Sequence, residues 1–405
     1  MVNKDLVYEL ARTRDSFYVY DGRKIESNIQ TMKERLPMAT FLYSVKTNPF
    51  PDIIDLCTDN GFGIDAASRN EVRMGVERGL GTDMIYFSAP GKTDRDIEYG
   101  LLHSTLTADS IGELERADRI AGKLGIKTKI GVRINPNFTM DDPYNGAGGK
   151  FGIDEDLFTE NIESIRNLSN LEITGIHVHS RSQELSFSIL SRYYVNMLKL
   201  CERVEKLLGR KLDFVNMGGG LGIPFVREDN ELDISSLGRQ FSDRMNSFAR
   251  ELGSTRILIE SGRYVCGNAG TYCSKVIDRK TSHGVTYVIL HNTLNGFFRP
   301  SVAMLVERGN PSPKPYEPMY IKPGASKIEV LTDDETLETV ALAGNLCTSA
   351  DMISKAITLN TSKVGDIVTF SNAGCYSYVL SAIQFASQIP PSQIFLSADG
   401  NISEK

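Results

Sequence analysis

The chain has 405 residues, 41% hydrophobic and 24% charged, enough for two globular domains with a core in each. Lys plus Arg total 45 against 51 Asp plus Glu, a net charge of -6, so no basic surplus points to nucleic acid. The apolar runs are strand-sized, far below the ~18–20 residues of a membrane span, and the N-terminus MVNKDLVYELARTRDS lacks the apolar centre of a signal peptide. Six cysteines (Cys57, Cys201, Cys266, Cys273, Cys347, Cys375) are scattered without a CxxC pair. That usage reads as reduced thiols in a cytoplasmic protein.

In chain order, FYVY (17–20) comes first, followed by a helical pattern over 22–35. FLYSV (41–45) leads to a helix over 51–59, FGIDA (62–66) to 69–78, MIYFS (84–88) to 93–100, and STLTA (104–108) to 110–123. TKIGVRI (128–134) is followed by 155–168, ITGIHVH (173–179) by 187–208, and LDFVNM (212–217) by 235–252. RILIE (256–260) closes the series. Strand-length runs separated by helix-length segments imply parallel βα units. From FLYSV onward they number eight, the count of a (β/α)8 TIM-like barrel; a doubly wound open sheet is the competing arrangement. From about Val265 the runs TYCSKVID, VTYVIL, MYIKP, KIEVLT, TVALAG and DIVTFS follow one another with turn residues between. They predict a mostly antiparallel β domain, with a helical period only at 377–387. FYVY precedes the first barrel helix and fits that same domain. The expected division is a barrel over 22–264 and a β domain of 1–21 plus 265–405.

One segment breaks the rhythm. NPNFTMDDPYNGAGGKFG (135–152) is a long polar loop after the fifth barrel strand, either an active-site lid or a disordered excursion. Barrel chemistry sits at the C-terminal strand ends. Those ends carry Lys46, Asp65, Arg133, His177 with His179, Gly218-Gly219-Gly220-Leu221-Gly222, and Glu260 with Arg263 beyond Ser261-Gly262. Each has a plain alternative. Lys46 could extend to water, and Asp65 could cap the helix starting near Ser68. His177 and His179 share one strand face and could hold a metal. However, no third ligand lies at a recognisable spacing, and HExxH and Cys pairs are absent. GGGLG could be only a tight turn; it lacks the GxGxxG spacing of a dinucleotide site.

Together the rim groups fit one cofactor. Glycines let backbone amides approach a phosphate, and barrel phosphate sites commonly follow strands seven and eight. A lysine could condense with an aldehyde, a carboxylate could pair with a ring nitrogen, and an imidazole could stack on an aromatic ring. Phosphate, aldehyde and pyridine nitrogen together describe pyridoxal 5'-phosphate (PLP).

The stretches YSVKTNP, GFGIDAAS, FSAPGKT, GIHVHSRSQ, NMGGGLGIP, IESGR, LCTSAD and NAGCYSY, in that order, span about residues 17–390. In these the chain resembles the PLP-dependent decarboxylases of the alanine-racemase fold, the family of diaminopimelate, ornithine and arginine decarboxylases. The resemblance implies a barrel plus a β domain and a homodimer with composite active sites. It implies that Lys46 holds the cofactor covalently, that His179 stacks on its ring, and that Ser182 and Gly218 to Gly220 contact its phosphate. Gly262 and Arg263 would lie near the phosphate, with Arg263 also near the substrate. Glu260 would pair with the ring nitrogen, Asp65 and Arg133 would support the cofactor and Lys46, and Tyr376 would close the site. Cys347 would reprotonate the carbanion carbon from the partner subunit.

Departures from the family pattern bear on substrate. Diaminopimelate decarboxylases typically have Cys-Glu-Ser where this chain has Cys347-Thr348-Ser349, so an acid facing a distal amine is missing. The family's RPxLY is Arg299-Pro300-Ser301-Val302-Ala303: the arginine is kept and the tyrosine is Ala303. Arg181 replaces a usual glycine. A lost acid, an added arginine and a smaller wall imply a bulkier or more anionic distal group. The leading expectation is an α-decarboxylase of a conjugated amino acid, citryl-linked or carrier-bound, in siderophore or antibiotic synthesis. Diaminopimelate decarboxylation is the alternative, followed by an amino-acid racemase or a non-catalytic PLP-binding regulator.

Overall fold

Several helices of the first two-thirds start where a side chain can satisfy a free amide. Asp21 caps Gly22–Arg35, Ser68 caps Arg69–Val76, and Ser110 caps Ile111–Leu124. Thr93 and Asp96 form a capping box on Asp94–His103. Ile111–Leu124 and Phe187–Leu208 end on Gly125 and Gly209, both left-handed. The computed structural model describes residues 3–226, 229–303 and 326–405, without the side chains of 245–252. The run MYIKP lies outside the described residues.

The strands form two sheets. The first strand, β1 (Ser16–Asp21), belongs to the second of them. The first sheet holds β2 (Ala39–Ser44), β3 (Gly63–Ala66), β4 (Ile85–Phe87), β5 (Thr105–Ala108), β6 (Thr128–Asn135), the two-residue β7 (Ile153–Asp154), β8 (Leu171–His177), β9 (Phe214–Asn216) and β10 (Arg256–Ser261). All pairings are parallel. β2 pairs β10 and β5 pairs β6, so apart from β7 the strands close into a barrel rather than an open sheet. Phe214 fills the interior with Leu42, Tyr86 and Leu258. A Cβ on Gly175 would fall 2.2 Å from the Phe214 ring, which explains a glycine inside β8.

The second sheet holds β11 (Gly270–Ser282), β12 (Val285–Leu290), β13 (Ile328–Leu331), β14 (Leu337–Gly344), β15 (Met352–Asn360), β16 (Ile367–Phe370), β17 (Ser392–Leu396) and β18 (Ile402–Glu404) besides β1. Its path is β15-β14-β12-β11-β1-β17-β18, with β16 also on β11 and β13 on β16. Among the described residues only β1–β17 and β12–β14 are parallel, so the sheet is mostly antiparallel. The sequence pattern did not show the helix Lys4–Ala11, which packs Val7, Leu10 and Ala11 on Phe17, Val19 and Ile394.

Two expectations are corrected. Residues 377–387 form no α-helix but two short 3-10 turns, Tyr378–Leu380 and Phe385–Ser387. Ser377 and Ser381 hydroxyls bond carbonyls of Cys375 and Ser377, and Ala386 and Ser387 are left-handed, so the backbone takes local alternatives to a helix. Residues 155–168 break into Glu155–Glu160 and Ile162–Arg166 around Asn161. The second sheet meets the barrel rim through Tyr376 N–H to Thr47 O, 3.0 Å, and Asn48 Nδ2 to Gly374 O, 3.0 Å.

Candidate active site

β2 runs into a tight turn, Val45–Thr47, which places Lys46 on the rim with its side chain 42% exposed. Its Nζ lies 2.5 Å from Oδ2 of the buried Asp65. Ser44 donates to the same oxygen and Ser88 to Oδ1. Asp65 therefore caps no helix; Ser68 does that. Desolvation opposes the Lys46 charge, but Asp65 and Glu260 outweigh it and raise its pKa.

Glu260 ends β10, buried. Its Oε1 accepts from Asn216 Nδ2 at 2.9 Å, and His177 Nε2 lies 3.1 Å away without hydrogen-bond alignment. Burial pushes its pKa up, yet His177, Lys46 and His179 prevail and hold it well below the ordinary range. His179 accepts at Nδ1 from Gly219 N–H, 3.0 Å, and its Nε2 faces Ser182 Oγ, 3.2 Å. Burial, with Arg133 and Lys46 nearby, pushes its pKa down to about 3, so the ring is neutral.

Gly218 has φ +67°, and a Cβ there would sit 2.3 Å from Val178 O. Gly218 N–H donates to Asn216 Oδ1. Two of the three amides expected at a phosphate, those of Gly218 and Gly219, are thus engaged within the protein. Gly262 brings β10 against the Lys46 turn: its Cβ would lie 1.9 Å from Thr47 Oγ1. Around it Thr47 Oγ1, Ser261 Oγ and Arg263 Nε are buried without partners. An anchoring lysine, a carboxylate held ionised, a neutral imidazole and unpartnered donors beside a glycine turn fit pyridoxal phosphate.

Arg263 and Arg299 are both buried and both lie over the Phe225 ring, each 5.4 Å from its centroid. Arg263 also faces Tyr376 and approaches Cys375 Sγ at 3.9 Å. Arg299 donates from Nη2 to Asn372 O, while its Nε and Nη1 have no partner. Ala303 is buried four residues on.

The surroundings of three further expected residues are these. Arg133 packs on Phe151, 4.4 Å from its centroid, and lies 4.0 Å from Asp109, which accepts from Gly152 N–H; it braces the end of the 135–152 loop. Arg181 is bound to Asp141 and Glu184, so its added charge is offset locally. Cys347 is exposed in the loop after β14, beside Thr348, and no hydrogen bond joins it to the Lys46 cluster among the described residues. Asn216 and Phe225 were not singled out from the sequence. Asn216 had a signal, as the residue two before the glycine run; Phe225 had none.

A parallel barrel with an attached β sheet, a rim lysine on a buried aspartate and a glycine turn fit the PLP-dependent decarboxylases of this fold. The family model for the pyridoxal-dependent decarboxylase, pyridoxal binding domain, matches residues 22–267, and the chain belongs to that family. It is 28% identical over 391 residues to L-glutamyl-[BtrI acyl-carrier protein] decarboxylase of Niallia circulans, covering 95% of this chain and 89% of that one. It is 26% identical over 396 residues to the Staphylococcus aureus 2-[(L-alanin-3-ylcarbamoyl)methyl]-2-hydroxybutanedioate decarboxylase, covering 94% and 93%. Its fold matches diaminopimelate decarboxylase from Helicobacter pylori complexed with L-lysine, with a TM-score of 0.82 at 24% identity over 98% of this chain and 95% of that one. The chain is a PLP-dependent amino-acid decarboxylase. Among the described residues no helix is long and apolar enough to cross a membrane.

Proposed function

We propose that this enzyme removes the α-carboxylate of an amino acid whose side chain is conjugated to a bulky or anionic group, in siderophore or antibiotic synthesis. The observation that carries this is the Arg263–Arg299 pair over Phe225. Arg263 Nε lies among the donors that fit the cofactor, and the buried Arg299, with Nε and Nη1 unpartnered, leaves positive charge available for a substrate anion. The neutral Thr348 and the small Ala303 agree with it, and so do the names of the two relatives above, whose amino acids are joined to something larger.

Pyridoxal phosphate, when bound, supplies the sink for the electron pair left by carbon dioxide. The protein's part is as follows. Lys46 Nζ is the covalent anchor and exchanges protons with the substrate amine. Glu260 keeps a ring nitrogen protonated, and neutral His179 offers an uncharged ring face. Asp65 orients Lys46, and Asn216 orients Glu260 while bonding the glycine turn. Arg263 and Arg299 hold carboxylate groups, and Tyr376 closes the site from the second sheet. Cys347 Sγ returns a proton to carbon. Its exposure agrees with contribution to the site of a second copy, and the working unit in this reading is a homodimer.

The test is carbon dioxide release by PLP-loaded enzyme, with Lys46→Ala as blank. The panel holds meso-diaminopimelate, lysine, ornithine, 2,3-diaminopropionate and the citryl conjugates of the last two, and L-glutamate carried as a thioester through its side-chain carboxyl. Turnover confined to conjugates supports the reading. Preference for meso-diaminopimelate overturns it and makes this an enzyme of lysine synthesis.

A further inference from the structure

A cleft of about 610 Å³ lies outside the Lys46 site, between the 135–152 loop and the helices Phe187–Leu208 and Ile234–Leu252. Arg192, Lys199, Arg203 and Arg244 line it, with Tyr144 and Asn196, and among the described residues its lining contains no Asp or Glu. In a chain of net charge -6 that is a local reversal of sign. Arg203 shares its charge with Glu155, and Asp243 borders the cleft. The amide Nδ2 of Asn196 is buried without a partner.

The cleft is joined to the active site. Arg192 Nη2 donates to Met140 O, Met140 N–H donates to Ser180 Oγ, and Ser180 follows His179. The first turn of Phe187–Leu208 lies at the catalytic end of the barrel, since that helix follows β8. From there the basic side chains continue along one helix face. Arg192, Lys199, Arg203 and Lys206 are spaced by seven, four and three residues, all exposed, which places them within a narrow stripe ~21 Å long. A small conjugate could reach the upper part of this stripe but not its length. A macromolecular surface could cover it.

We propose that this groove docks an acidic protein domain that presents the amino acid on a flexible thioester arm, the arm passing over the rim beside the 135–152 loop. The inference rests on the conjugate reading above and makes it specific: the substrate is protein-borne. The exposed Tyr144 at the groove's loop wall (85% exposed) supplies an aromatic contact of the kind that anchors interfaces.

The probe is a small acidic acyl carrier protein whose phosphopantetheine thiol bears L-glutamate through its side-chain carboxyl. The comparison substrate is the same glutamyl thioester on free pantetheine. The variant is Lys199→Glu with Arg244→Glu. Expected is a drop of about tenfold or more in kcat/KM on the carrier-borne substrate, with the pantetheine thioester unchanged. Binding of fluorescently labelled carrier protein, read by anisotropy, should weaken with salt for the unaltered enzyme and be lost in the variant. This readout needs no turnover. Equal effects on both substrates, or no salt-dependent binding to the unaltered enzyme, overturn the proposal. Turnover of citryl conjugates without carrier binding overturns the docking surface and keeps the conjugate reading. Turnover of meso-diaminopimelate without carrier binding overturns both.

Discussion

Two neighbouring regions of the active site treat charge in opposite ways. Around Lys46 the charges are answered within the chain: the ammonium by Asp65, Asp65 also by Ser44 and Ser88, and Glu260 by Asn216 and the nearby His177. Around Phe225 two buried arginines face aromatic rings and the Cys375 sulfur, and among the described residues neither is paired with a carboxylate. A buried, uncompensated charge costs several kcal/mol, so its retention marks a place where a partner is to be supplied. The first region is complete before substrate arrives; the second is complete only with it.

Removing the anchor breaks the first region most severely. Lys46→Ala should lower carbon dioxide release by about 10³-fold or more and abolish the visible absorbance of covalently held cofactor. Retained absorbance would mean another attachment point. Next is Arg299→Met, which keeps length and removes charge. If the arginine is held for an anion, kcat/KM should fall by about 30-fold or more, through KM, while stability rises by ~1 kcal/mol as an unpaired buried charge disappears. Lower stability with unchanged KM would make Arg299 structural and erase the contrast. A smaller effect follows from Asp65→Asn in cofactor-free protein. Lys46 has its pKa raised in the folded state, so its stabilisation is present below its ordinary 10.5 and is lost as pH rises through the folded value. Because Lys46 is partly solvated, the variant should lose only ~1–2 kcal/mol at pH 7 by thermal or urea unfolding, and the loss should shrink at high pH.

The same contrast separates what was legible in the sequence from what was not. Lys46, Asp65, His179 and Glu260 stand at strand ends, where period and topology alone determine position, and the structure brings them together. The barrel strands were equally legible because both faces of a parallel strand are buried. The aromatic floor under Arg263 and Arg299 was not. Phe225 follows the glycine turn, Arg299 opens a helical segment after β12, and their meeting depends on how the second sheet seats on the rim through Tyr376 and Asn48. The offset of Arg181 by Asp141 and Glu184 was hidden for the same reason: Asp141 lies forty residues away in the 135–152 loop. The helix at Lys4–Ala11 escaped because eight residues with three buried side chains carry too short a period to register.

The last perturbation concerns Glu71, which borders the complete region. Burial pushes its carboxyl up from 4.5 to about 7, and Asp65 adds to this, although the Ala67 N–H it accepts at 2.6 Å and the Lys46 charge pull it down. An acid whose folded pKa is raised stabilises the fold while protonated: that contribution is whole below 4.5 and is lost as pH rises through about 7. Glu71→Gln keeps an acceptor for Ala67 and removes the titration. Relative to the unaltered enzyme it should therefore be more stable at pH 8 than at pH 4.5 by up to ~3 kcal/mol, with the difference growing between those limits. Urea unfolding at half-unit pH steps measures it. A difference that stays flat would show that the burial penalty on Glu71 is fully compensated and its pKa is not raised. A difference that grows toward low pH would show that Glu71 is ionised and favourable, so that the Lys46 region needs a second carboxylate to balance it.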